Sequence, residues 1–238
     1  MGSTIIKIFD MTVAGTGLTE KVAKSMGIDC ESVVLSPASH AGYYPGAKVM
    51  TMKVVFEKES LKLLGAQIVG LEGVDKRLDV LATAIHCGMK ADMLKDLDLA
   101  YAPPFSSAKD PVNMAGFMIE NISKEMIKQY HWDDIKDLPR DGSVTLLDTR
   151  TAYEYKSGHI DGYINIPVDD LRDRLNELDR SKTVYVICQS GLRSYIACRI
   201  LSQNGFDCNN FSGGYRFYAS VIKEKEMSEY TYPCGMEK

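Results

Sequence analysis

The sequence predicts two domains of unlike class. An α+β domain, an antiparallel sheet with flanking helices, spans residues 1–122, and an α/β domain on a parallel sheet spans residues 123–238. Three observations carry this. The chain has 238 residues, more than the roughly 150 of a typical single domain. Its apolar runs alternate with hairpin-like polar runs in the first half, but with turns and helical stretches in the second. A charged segment over residues 122–138, followed by Pro139, separates the two patterns. With 45% hydrophobic and 25% charged residues, the chain can bury a core and stay soluble, which argues against disorder or collagen-like repetition.

In the first half, Lys53-Val54-Val55-Phe56 and Ala66-Gln67-Ile68-Val69 read as antiparallel strands joined through Glu57-Lys58-Glu59-Ser60. A helix is expected over 19–26, opened by a capping-type Thr19 and stopped at Gly27. A second is expected over 76–85, where Leu78, Val80, Leu81 and Ile85 fall at partly helical spacing before Gly88. Gly15-Thr16-Gly17 fits a turn, since the third glycine of a dinucleotide-binding fingerprint is absent. In the second half, residues 144–147 and 183–187 are short apolar runs followed by turns, as buried parallel strands read. Helices are expected over 169–178, its acidic start at Asp169, Asp170 and Asp173 favoured by the helix dipole, and over 192–203, capped by Asn204-Gly205.

Charge and cysteine usage exclude several functions. The net charge of −4 is shared evenly by the two halves, so a nucleic-acid role loses its electrostatic footprint. No apolar run approaches the roughly 18 residues of a membrane span, and the N-terminus lacks a signal-peptide pattern. The expected setting is cytoplasmic, with no membrane or nucleic-acid partner. Six cysteines without a C-x-x-C pair make a poor disulfide scaffold and a poor zinc site, so no metal is expected. Cys30, Cys87, Cys198 and Cys208, in or beside apolar stretches, read as inert, buried thiols. Cys234 belongs to an unstructured tail or resolves a persulfide. His86 beside Cys87 does not make a metal pair, because neighbours on a helix point apart.

Chemistry concentrates in Cys188-Gln189-Ser190-Gly191-Leu192-Arg193-Ser194, which leaves an apolar strand and opens a helix. Parallel sheets bind ligands beyond the carboxyl ends of their strands. A short loop entering a helix aims several backbone N–H groups inward, and with the dipole and a nearby Arg these favour a thiolate. Arg193 has two open roles, steadying the loop or holding an anionic donor. Asp148 and Arg150, at the end of the preceding strand, form either a loop-positioning or a purely structural pair. His159, in a Gly-His-Ile turn, reads as structural rather than as a general base.

These residues resemble a known family. Asp148-Thr149-Arg150, then 158–167 (GHIDGYINIP), the Cys188 loop and Phe211-Ser212-Gly213-Gly214-Tyr215 are similar, in order, to the single-domain rhodanese pattern over about residues 131–228. The resemblance implies an α/β/α fold, helices on both faces of the sheet, and a sulfurtransferase carrying a persulfide on Cys188, with residues 189–194 (Gln189, Ser190, Gly191, Leu192, Arg193, Ser194) forming the active-site loop. Cys188 and Arg193 enclose four residues, one fewer than in the phosphatase relatives of the fold. The donors implied are thiosulfate, polysulfide or a low-molecular-weight persulfide, coenzyme A persulfide among them, and the acceptor is a thiol.

Residues 37–46 (PASHAGYYPG) and 98–105 (DLAYAPPF) resemble the C-terminal dimerisation domain of pyridine nucleotide-disulfide oxidoreductases, in the branch of coenzyme A disulfide and persulfide reductases, over about residues 3–122. That resemblance implies a homodimer. It also implies that Tyr43 and Tyr101, with Tyr44 as the alternative to Tyr43, contact coenzyme A in a partner subunit. Packing at a dimer surface is the equal alternative for these tyrosines. The FAD and NAD(P)H domains of that family have no counterpart in this sequence, so no bound cofactor is expected and reductase activity is not carried over. Two further readings stand beside the sulfurtransferase: a non-catalytic dimerising adaptor that docks to a flavoprotein reductase, or a fragment of such a reductase, and a cysteine phosphatase or arsenate reductase using the same loop.

Overall fold

The computed structural model describes residues 2–229, with side chains through residue 222. The chain divides into two compact units between Gln129 and Tyr130. A division at 122/123 would fall in the last turn of a helix that runs to Ser123.

In the first unit, β1 (Ser3–Ile8), β2 (Met11–Gly17), β3 (Cys30–Leu35), β4 (Met50–Glu57) and β5 (Leu63–Gly70) form an antiparallel sheet in the order β1-β2-β5-β4-β3. The hairpin visible in the sequence is β4–β5. Gly15-Thr16-Gly17 is no turn: it is the end of β2, where its backbone groups pair with Gly65–Gln67. The edge strand β1 bonds to β2 alone among the described residues and exposes Ile5, Ile6 and Ile8, with Phe9 beyond it.

Period-two alternation gives the sheet two apolar faces. Met50, Met52, Val54 and Phe56 enter the larger core with Ile68, while Val55 and Leu64 face the other side against Ala23 and Cys30. The helix α1 (Glu20–Ser25), capped by Thr19 as expected, supplies Ala23. Two helices serve the larger core: α2 (Val74–His86), through Leu78, Leu81 and Ala84, and α3 (Pro111–Ser123), through Val112, Ala115 and Ile119. Sequence reasoning did not anticipate α3, although its start is explicit. Asp110 caps it, Asn113 closes the capping box, and Pro111 occupies its first turn.

In the second unit, β6 (Lys128–Tyr130), β7 (Thr145–Asp148), β8 (Ile164–Asn165), β9 (Val184–Ile187) and β10 (Cys208–Phe211) lie in the order β6-β10-β9-β7-β8. The β7–β8, β7–β9 and β9–β10 pairs are parallel. Helices α4 (Ala152–Lys156), α5 (Leu192–Gln203) and α6 (Gly214–Glu229) complete the unit. The expected helix over 169–178 is absent. Leu171 and Leu178 are buried as an amphipathic helix would bury them, but the hydrogen bonds close three residues apart (Arg174 N–H to Leu171 O, Leu178 N–H to Leu175 O). The segment is therefore a run of turns ending in a 3-10 helix, Leu175–Glu177, and the exposed Asp169, Asp170 and Asp173 start no α-helix. Among the described residues, no helix is long and apolar enough to cross a membrane.

Candidate active site

Cys188 follows the last residue of β9, and Ile187 is in register with Asp148 at the end of the neighbouring β7. The nucleophile candidate and the Asp148–Arg150 pair thus meet at the carboxyl edge of two adjacent parallel strands. The thiol is fully buried. Its Sγ accepts the Gly191 N–H at 3.1 Å. The Ser194 hydroxyl lies 3.2 Å from Sγ and 3.1 Å from the Gly191 carbonyl oxygen. It has one proton to give, and a thiolate is the stronger acceptor, so ionisation draws that bond to sulfur. Among the described residues one backbone N–H reaches Sγ, not the several the loop pattern suggested; a side-chain hydroxyl completes the contact.

The loop is fastened from below. Tyr215 and Arg216, at the start of α6, donate backbone N–H bonds to the carbonyls of Cys188 (2.7 Å) and Gln189 (3.1 Å). Gly214 makes this approach feasible: at φ 71°, a Cβ there would stand 2.6 Å from the Ser190 nitrogen and 2.7 Å from the Gln189 carbonyl carbon.

Arg150 and Arg193 are each already paired. Arg150 and Asp148, 2% and 0% exposed, bond through Nη2 to Oδ2 at 2.7 Å and through Nε to both carboxylate oxygens. Arg150 also donates to the Gly158 carbonyl at 2.7 Å, reaches Gln189 Oε1 at 3.5 Å, and sits 3.8 Å from the Tyr215 ring centroid. The pair is therefore linked to the loop through Gln189 and Tyr215. Arg193 points to Glu154 instead, with Nη1 and Nη2 each 2.7 Å from a different carboxylate oxygen. Arg193 holds the Glu154 carboxyl down to about 2, assisted by bonds from Thr151, while Glu154 pushes the guanidinium further up. Glu154 was absent from the residues read from sequence. Its signal was the Thr151-x-x-Glu154 capping box that opens α4.

The remaining candidates fall into place around this. His159 stacks on Tyr155 and bonds through Nδ1 to the Tyr155 carbonyl, a structural role. Leu192 is exposed, and Gln189 and Ser190 are half-buried at the loop's rim. Cys30, Cys198 and Cys208 are buried, but Cys87, expected to be buried, is exposed because it caps the end of α2. Cys234 lies outside the described residues. No group of ligating side chains able to hold a metal occurs among the described residues.

In the first unit, Tyr43 and Tyr101 come together, their hydroxyls 2.9 Å apart though the side chains are 77% and 46% exposed. The bond raises the Tyr101 phenol above its usual value. A buried pair beneath their loops, Arg77 and Asp110 (2.9 Å), fixes both: Arg77 Nη2 also donates to the Ser39 carbonyl and to Ser106 Oγ, and Ala41 N–H donates to the Ser106 carbonyl.

A buried cysteine in a short loop between a parallel strand and a helix, fastened by the start of the following helix, defines the second unit as rhodanese-like. Comparison agrees: residues 131–220 match the rhodanese-like domain model, and residues 3–112 match the pyridine nucleotide-disulphide oxidoreductase dimerisation domain. The chain is a dimerisation domain of that family followed by a rhodanese-like domain, homologous to the C-terminal region of coenzyme A disulfide reductase. Reduced Bacillus anthracis CoADR-RHD superposes with TM-score 0.90 at 46% identity, over 94% of this chain and 40% of that one. A NAD-dependent persulfide reductase from A. fulgidus gives TM-score 0.83 at 39% identity, over 91% of this chain and 39% of that one. Coenzyme A disulfide reductase of Staphylococcus epidermidis is 41% identical over 117 residues, 49% of this chain and 26% of the enzyme. The chain thus spans well under half the length of these relatives.

Proposed function

We propose that the second unit is a sulfurtransferase that carries sulfane sulfur on Cys188. The observation that supports this most directly is the Sγ environment: a strand-end thiol with the Gly191 N–H and the Ser194 hydroxyl aimed at the sulfur itself. In the first step the Cys188 thiolate attacks the outer sulfur of a donor. With thiosulfate, the new S–S bond forms as the S–SO3 bond breaks, and sulfite leaves with the electron pair. With an organic persulfide, the parent thiolate leaves with the electron pair and takes up the proton that the transferred sulfur gives up as it ionises. The Gly191 N–H and the Ser194 hydroxyl then stabilise the Cys188 persulfide. In the second step an acceptor thiolate attacks the outer sulfur and restores Cys188. Both steps are exchanges between sulfur atoms, so they call on no cofactor from this chain.

Arg150 and Asp148 position the loop in this reading. Tyr43 and Tyr101, as a bonded pair on the first unit, suit contacts to coenzyme A in a complete site whose flavin a reductase supplies. The setting proposed is cytoplasmic, where the free thiols of the described residues stay reduced. The test is intact mass under non-reducing conditions, before and after brief exposure to thiosulfate or polysulfide. Wild-type protein should gain one sulfur and Cys188→Ser none. No gain from either donor would sink the proposal in favour of a dimerising adaptor.

The dimerisation-domain match supports a homodimer. Light scattering at micromolar protein should give twice the mass of one 26.5 kDa chain. A purely monomeric result at that concentration would overturn it.

A further inference from the structure

The four-residue span between Cys188 and Arg193 brings a guanidinium to the rim of the sulfur loop, where a free cation would attract a dianionic donor such as thiosulfate. Its charge is already answered. Glu154 takes one N–H from each terminal nitrogen, both at 2.7 Å, in the paired geometry that fits carboxylate to guanidinium. Glu154 is itself held in place, because Oε2 also accepts the Thr151 N–H at 3.0 Å and the Thr151 hydroxyl at 2.9 Å. The guanidinium of Arg150, which reaches the Gln189 side chain, is neutralised by Asp148 in the same way. The sulfur site is therefore bordered by two neutral ion pairs.

We propose that Glu154 is a specificity-determining residue: by holding both terminal nitrogens of Arg193, it keeps that guanidinium from the Cys188 loop's ligand and disfavours dianionic sulfur donors relative to donors with an uncharged body. The proposal rests on the sulfur-transfer reading and adds to it a residue outside the loop. It assigns Arg193 to loop positioning, one of the two roles the sequence left open. A donor dianion placed here meets the Glu154 carboxylate as well as the guanidinium, and the two charges nearly cancel at a distance of several ångströms.

The test compares KM for thiosulfate, followed by sulfite release, with KM for hydroxyethyl persulfide, in wild type, Glu154→Gln and Glu154→Gln/Arg193→Gln. Glutamine keeps the capping bonds of α4 while removing the charge. Glu154→Gln should lower KM for thiosulfate roughly tenfold, the scale of one charge-assisted hydrogen bond, and change KM for the persulfide by less than about twofold. The double variant should lose the gain. An unchanged or raised thiosulfate KM in Glu154→Gln overturns the proposal, as does a gain that survives in the double variant. A second measurement is independent of turnover and of that variant's folding. Sulfate, an inert dianion, is tested for protection of Cys188 against iodoacetamide in wild type and Arg193→Gln. Equal, weak protection supports the proposal; strong protection that Arg193→Gln abolishes overturns it. Absence of any sulfur gain by wild type, with sulfate protection as expected, would instead remove the sulfur-transfer reading on which the assignment depends.

Discussion

Asp148→Ala is expected to destabilise the second unit by about 3–5 kcal/mol, the range for stripping a buried ion of its partner. Arg150 is 2% exposed and would lose four hydrogen bonds to the carboxylate, three from its guanidinium and one from its backbone N–H. The Gly158 carbonyl and the Tyr215 ring would remain, but neither carries the opposing charge. The measurement is a urea titration followed by tryptophan fluorescence, since Trp132 is the chain's single tryptophan and lies in this unit. The midpoint should fall by about 2 M. Removing both charges, as Asp148→Leu/Arg150→Met, should recover more than half of the loss, because no bare charge is left inside. A fall equivalent to less than about 1 kcal/mol for Asp148→Ala would mean that water reaches the guanidinium and the pair is not buried as described.

Gly214→Ala is the second large effect, and it falls on chemistry. The new methyl group would stand against backbone atoms of Gln189 and Ser190, which cannot swing aside as a side-chain tip can. The sulfur loop has to move, and a displacement near 1 Å costs on the order of 100-fold in a positioned reaction. The rate of sulfur gain at Cys188 should drop by about that factor. Gly205→Ala is the control: its φ of 82° carries a similar left-handed penalty, yet nothing lies within 4 Å of the added atom. It should cost roughly 1 kcal/mol of stability and leave the Cys188 rate near wild type. Equal losses in both variants would show that backbone strain, not the fastening of the loop, sets the effect.

Much of the site was legible because the chemistry is local in sequence. The run from Cys188 to Ser194 is one strand end, one turn and one helix start, so residue types alone place the thiol at the carboxyl edge of a parallel sheet. Asp148 and Arg150 are two residues apart and meet for the same reason. Glu154 was missed because its partner is 39 residues away and nothing in either neighbourhood names the other; the capping box explains why Glu154 is there without saying that both its oxygens also meet Arg193. The Arg77–Asp110 pair escaped notice similarly, as did α3, whose apolar pattern was overshadowed by the charged segment after it. The helix expected over 169–178 failed for a different reason. Leu171, Leu175 and Leu178 repeat at intervals of about three and a half residues, the spacing of an α-helix, yet irregular turns bury Leu171 and Leu178 without forming one. Only the hydrogen bonds distinguish the two.

Among the described residues, β1 pairs on one side with β2 alone. An edge of this kind, with exposed isoleucines beside its outer backbone groups, is a template for strand pairing, and Lys7 is the one charged side chain within β1 that opposes it. Contact between two identical edges closes on itself and stops at two copies. Contact between this edge and a different surface repeats head to tail, and unless its rotation closes a ring, a β1 stays exposed at the end of every assembly and growth has no natural limit. Mass that settles at two chains and mass that climbs with concentration are therefore signatures of two different symmetries of association.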